Sequence, residues 1–278
     1  CDDCAGAPNG SAVVDCAGIC EGINTTINEC GVCGGEDACD TADQITVEYN
    51  IHESLPAEWV NEFYTIMANL AEIIPVYITN FNNISVYAWN DNVNDPYQGI
   101  DGGAYVSGSH EDTGTPILVL EIPNLEFIYS SSHRYSVIAH EFFHIYQLSL
   151  KDMHQSGYEF GIKWLIEGAA ASFESLYIQQ FYNNNYFLDA QTNVNNIVHS
   201  NPSELESYDS YEKDENYSSS VFLTLVLAKE LIKSGYSEEE AFRLIYKQLM
   251  LQKPTNQTWK THFESVFNFT VDNFYDSV

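Results

Sequence analysis

His140-Glu141-Phe142-Phe143-His144 sets two imidazoles and a carboxylate at a spacing suited to metal-assisted hydrolysis. On a helix, side chains four residues apart lie one turn above each other, so His140 and His144 can ligate one ion from a single face. Glu141 stands beside them, where a carboxylate can take a proton from an activated water and pass it to a leaving amine. Zinc is the ion this chemistry points to. It is held tetrahedrally by imidazole and carboxylate ligands, and it lowers the pKa of a bound water to roughly 7. Peptide or amide hydrolysis is the reaction implied.

A helix must carry the motif, and the flanking residues favour one. Ser130, Ser131 and Ser132 are N-cap candidates, and the run from Tyr135 to Leu150 contains neither Gly nor Pro. Val137, His140, Glu141, His144 and Leu148 form one stripe, with Tyr135, Ile138, Phe142 and Ile145 as the apolar face behind it. A third ligand is still needed. The metzincin pattern would put Gly at 147 and His at 150, but Gln147 and Leu150 stand there, which excludes that class. Downstream, Trp164-Leu165-Ile166-Glu167-Gly168-Ala169-Ala170-Ala171 offers Glu167 on a second expected helix, after a loop containing Gly157 and Gly161. Its small residues should let that helix approach the first closely enough for a short carboxylate to reach the ion.

HEFFH followed by WLIEG, with 22 residues between His144 and Glu167, resembles the gluzincins, zinc peptidases whose ligands are two His and one Glu. The resemblance spans residues 130 to 235. It implies zinc on His140, His144 and Glu167, with Glu141 as general base. It also implies a phenol: Glu215-Asn216-Tyr217-Ser218-Ser219-Ser220 is similar to the gluzincin segment in which a Tyr opens a helix and donates to the oxyanion, a contact worth about 3 kcal/mol. Tyr217 is therefore the candidate, with Tyr208 and Tyr211 close by in sequence. Glu174, two turns beyond Glu167, suits either a hydrogen-bond acceptor for a ligand histidine or a solvated surface acid. His110, His133, His154, His199 and His262 have no partner at ligand spacing and read as surface or hydrogen-bonded core residues.

With 40 acidic and 10 basic side chains the net charge is −30, and no Lys or Arg precedes Arg134. Nucleic acid and anionic membrane surfaces are thereby disfavoured as partners. The acidity fits adaptation to high ionic strength or binding of divalent cations. Acid pairs such as Asp2-Asp3 and Glu36-Asp37 make calcium a second candidate ion, although no EF-hand loop is present.

All seven cysteines fall in the first 39 residues: Cys1, Cys4, Cys16, Cys20, Cys30, Cys33 and Cys39. The segment repeats loosely with a period of about 13 residues and has too little apolar content to bury a core. Disulfides are the favoured cross-link; a structural zinc clamped by Cys1/Cys4 and Cys30/Cys33 is the alternative. The repeats resemble those of secreted marine microbial proteins, which implies an extracellular, secreted or surface-attached chain. An N-terminal Cys suits a processed lipoprotein, and an odd count suits a partner cysteine elsewhere. Six sequons, at Asn9, Asn24, Asn83, Asn216, Asn256 and Asn268, permit glycosylation if the source glycosylates. No run of 18 apolar residues occurs to cross a membrane.

Thr41-Ala42-Asp43 marks a boundary, giving a cysteine-rich module over 1–42 and a second domain over 43–278. Strands are expected at 45–51, 76–79, 84–89, 103–106 and 117–122, and helices at 56–74, 217–234, 237–251 and 258–267 besides the two ligand helices. Strands first and helices afterwards predict an α+β fold, and the gluzincin resemblance implies a zincin-like one, with a small N-terminal sheet and a helical C-terminal half. Ile117–Ile122 is open to two readings, a sheet edge for an extended peptide and, from its continuous apolar run, a buried strand. Two functions compete: a secreted zinc peptidase acting on peptide or protein substrates, and an extracellular structural or adhesive subunit that keeps a peptidase-like fold and self-assembles through the cysteine-rich arm.

Overall fold

The computed structural model describes residues 45–76, 81–108, 115–150, 160–208 and 213–278. The cysteine-rich module, its acid pairs, most of the strand expected at 76–79, and His110, His154 and Tyr211 lie outside the described residues.

The four described strands form one sheet. β1 (Thr46–Ile51) leads through α1 (Ala57–Ile73) to β2 (Asn83–Asn90), and β3 (Ala104–Ser107) and β4 (Ile117–Ile122) follow. The order across the sheet is β1-β2-β4-β3, with β1, β2 and β4 parallel and β3 antiparallel to β4. Alternation assigns the two faces. Ile84, Val86, Ala88, Leu118, Leu120 and Ile122 point into the main core with Trp59, Phe63, Ile66 and Leu70 of α1. Trp89, Ile117 and Val119 point the other way, into a smaller cluster with Ile100, Tyr87 and Tyr97.

Of the two readings open for Ile117–Ile122, the structure shows the buried strand. β4 lies between β2 and β3, paired on both sides, and its apolar residues are buried on both faces. Among the described strands, the four-residue, half-buried β3 ends the sheet. Gly103 enters it at φ +120°, a conformation that favours glycine.

Beyond the sheet the chain is helical. α2 (Asn124–Ile128) precedes α3 (His133–Leu150), whose first turn is held by the Ser131 hydroxyl accepting the His133 N–H at 3.2 Å. The Trp59 indole donates to the Arg134 carbonyl at 2.9 Å and so ties α1 to the start of α3. α4 (Lys163–Tyr182), α5 (Tyr186–Thr192) and α6 (Ile197–Ser200) lead through a 3-10 turn at Pro202–Glu206 to α7 (Lys213–Lys233). The helix expected over 237–251 starts with a reciprocal Ser237/Glu240 cap as α8 (Glu238–Arg243), passes through a π turn at Leu244–Gln248 and ends as α9 (Leu249–Leu251). α10 (Trp259–Phe267) and α11 (Val271–Ser277) close the core with Phe263, Phe267 and Phe274. No described helix is long and apolar enough to cross a membrane.

Candidate metal centre

α3 and α4 bring three ligand-type atoms to one point. His140 Nε2 lies 3.2 Å from His144 Nε2, and Glu167 Oε2 lies 3.5 Å from the first and 3.3 Å from the second. His140 and Glu167 are buried and His144 nearly so. Glu167 Oε2 is buried, makes no well-formed hydrogen bond and faces only imidazole nitrogens at 3.3 and 3.5 Å in this cluster, a position that a shared cation would satisfy. The group can therefore hold a metal ion. Val137, Glu141 and Leu148 of the same α3 stripe line the adjoining cavities, while Ile138, Phe142 and Ile145 pack into the core.

Both imidazoles are oriented from behind. Glu174 Oε2 sits 3.0 Å from His140 Nδ1, and its other oxygen accepts from the Ser136 hydroxyl. Of the two readings open for Glu174, the structure shows the hydrogen-bond partner. Gln147 does the same for His144: Oε1 is 2.8 Å from Nδ1, and its amide donates to the Ile166 carbonyl at 3.1 Å. These contacts favour a proton on each Nδ1 and point each Nε2 at the cluster, where it can ligate an ion once it carries no proton. Lys163 Nζ stands 3.5 Å from Glu167 Oε1, the oxygen turned away from the histidines. Sequence reading missed Gln147 and Lys163. The available signals were spacings, three residues after a ligand for Gln147 and four before one for Lys163. Replacing Glu174 with Gln should weaken metal binding by about 10- to 100-fold, the usual cost of losing such a partner, as read by competition with a chromophoric chelator.

The charges are strongly coupled. Burial works against a proton on His140, but the facing carboxylates of Glu167 and Glu174 overcome it and raise its pKa to about 10. Burial likewise opposes ionisation of Glu167, yet both histidines hold its carboxyl far below the usual range; Glu174 is lowered by His140 and Ser136 against its own burial. Glu141 is shifted up, mainly by burial, with the two histidines acting in the opposite sense. His140 is thus protonated in the metal-free protein at neutral pH, and a ligating imidazole must be neutral. Metal binding at pH 7.5 should release about one proton, and affinity should rise with pH until His140 titrates. Calorimetry in two buffers of different ionisation enthalpy measures that proton directly.

Tyr217 also reaches the site. Its ring centroid lies 5.7 Å from that of His140, and burial together with Glu167 raises its pKa. α7 begins at Lys213, so Tyr217 lies in the second helical turn and does not open the helix as the resemblance implied. Tyr208 stands slightly back, its hydroxyl 3.1 Å from Ser220 Oγ. Of the other histidines, His133 pairs with Glu126 at 2.7 Å on the cavity rim and His199 meets the Val278 carbonyl at 2.9 Å.

Gly168, next to Glu167, is where α7 approaches α4. A Cβ there would lie 2.5 Å from both the Ser220 carbonyl oxygen and Thr224 Oγ1. The glycine of the small-residue run therefore accommodates the helix bearing Tyr217. Gly168→Ala should cost about 1–3 kcal/mol through overpacking, seen as a lower melting temperature. Gly161→Ala, whose Cβ would meet nothing closer than 3.9 Å, is the control.

No family model matches this chain, and no curated protein matches it either.

Proposed function

We propose that the chain is a zinc-dependent, zincin-like peptidase. The observation that carries this reading is the triangle of His140 Nε2, His144 Nε2 and Glu167 Oε2, with edges of 3.2, 3.3 and 3.5 Å. Tetrahedral zinc with ligands at about 2.0–2.1 Å requires ligand atoms about 3.3 Å apart, and its preferred donors are these types. The fit also gives the orphaned Glu167 Oε2 a partner.

When bound, zinc supplies Lewis acidity, acidifying water and polarising a carbonyl. The protein's residues do the rest. Glu141, buried and lining the cavities on both sides of the ligands, takes the proton of the attacking water on a carboxylate oxygen and delivers it to the leaving nitrogen. Tyr217 donates its phenolic hydrogen to the oxygen that gains charge. Tyr217→Phe should lower kcat by about 100-fold with little change in KM, because that contact is made in the transition state. Steady-state kinetics separate the two parameters.

The reading is tested by metal removal. The purified chain should contain one zinc by native mass spectrometry and hydrolyse a mixed peptide library. A chelator should abolish the activity and added zinc restore it. A chain that holds zinc yet cleaves nothing would favour the structural or adhesive alternative.

A further inference from the structure

We propose that the site cleaves within a chain, taking an internal segment of an extended polypeptide and anchoring neither terminus. The proposal rests on the peptidase reading above. A cavity of about 550 Å3 opens beside His140, walled by Val137, Ala171 and Val221. A second, of about 250 Å3, opens beside His144 and Glu167, walled by Val106, Leu148 and Ile166. Ala104, Glu141 and Tyr217 line both, so the two cavities adjoin and flank the ligand atoms on either side. A carbonyl held there has room for polypeptide in both directions. A site that trims ends is closed on one side within a residue or two.

Terminus recognition also needs charge. An α-amine calls for an unengaged carboxylate, and an α-carboxylate calls for a cation. Among the described residues lining the two cavities the carboxylates are Glu141, Glu167 and Glu174, and each already has its place in the centre. No described Lys or Arg lines either cavity. The ammonium of Lys163 stands by Glu167, and His133 at the rim is paired with Glu126. β3 offers a recognition mode that reads no terminus. Among the described strands it ends the sheet, it borders both cavities through Ala104, and an extended segment can add to it by main-chain hydrogen bonds. At about 3.3 Å per residue its four positions span about 13 Å, enough for residues on both sides of a scissile bond.

The test uses the zinc-loaded full chain and a library of internally quenched peptides in four forms: free at both ends, N-acetylated, C-amidated and blocked at both ends. Doubly blocked peptides should be cleaved with kcat/KM within about three-fold of the free ones, since no terminal contact is lost on blocking. Mass spectrometry should place the cuts at least two residues from either end. A site built to bind a terminus would reject its blocked form by a factor on the order of 10⁴, and that loss, or stepwise release from one end, would overturn the proposal while leaving the peptidase reading intact. Failure to cleave any form above the level of Glu141→Gln would overturn both.

Discussion

Glu141→Gln is expected to lower kcat on peptide substrates by about 10³-fold, since it keeps the shape of the side chain and removes the group that accepts the proton. The loss corresponds to about 4 kcal/mol of transition-state stabilisation. Glu141 is buried beside His140 and lines both cavities, so the substitution leaves packing intact and spares a buried carboxylate its desolvation. Zinc content and melting temperature should stay close to those of the parent. Kinetics, metal analysis and a thermal melt on one preparation would check all three. A fully active variant would sink the mechanism.

The second large effect is on metal binding. His144→Ala removes one of the three proposed ligands and leaves Gln147 without its imidazole partner. Loss of an outer partner alone commonly costs 10- to 100-fold in affinity, so removal of the ligand itself should cost more than about 100-fold. Native mass spectrometry should find the variant largely metal-free under conditions that saturate the parent. Gln147→Ala should fall between the two. Stoichiometric zinc on His144→Ala would show that the ion sits elsewhere.

The His140/His144 pair was legible in the sequence because the helical period fixes which residues share a face. Glu167 was legible as the carboxylate on the next expected helix. The sheet was read less well. The apolar run Ile117–Ile122 identified a strand, but its place between β2 and β3 depends on pairing between distant segments, which no local pattern records. The start of α7 was missed because Lys213-Asp214-Glu215-Asn216 carries no apolar stripe. Helices as short as α2, α6 and α11 span too few residues for a period to emerge. Gly168 illustrates another limit. Sequence showed a run of small residues, and only the packing shows that the helix they admit at this point is α7.

The measurement that bears most directly on the central claim is anomalous diffraction at the zinc edge from crystals of the zinc-loaded chain. A single strong peak should appear about 2.0–2.1 Å from His140 Nε2, His144 Nε2 and Glu167 Oε2. A loaded crystal with no peak at that point, or with Glu167 turned away from the two histidines, would contradict it.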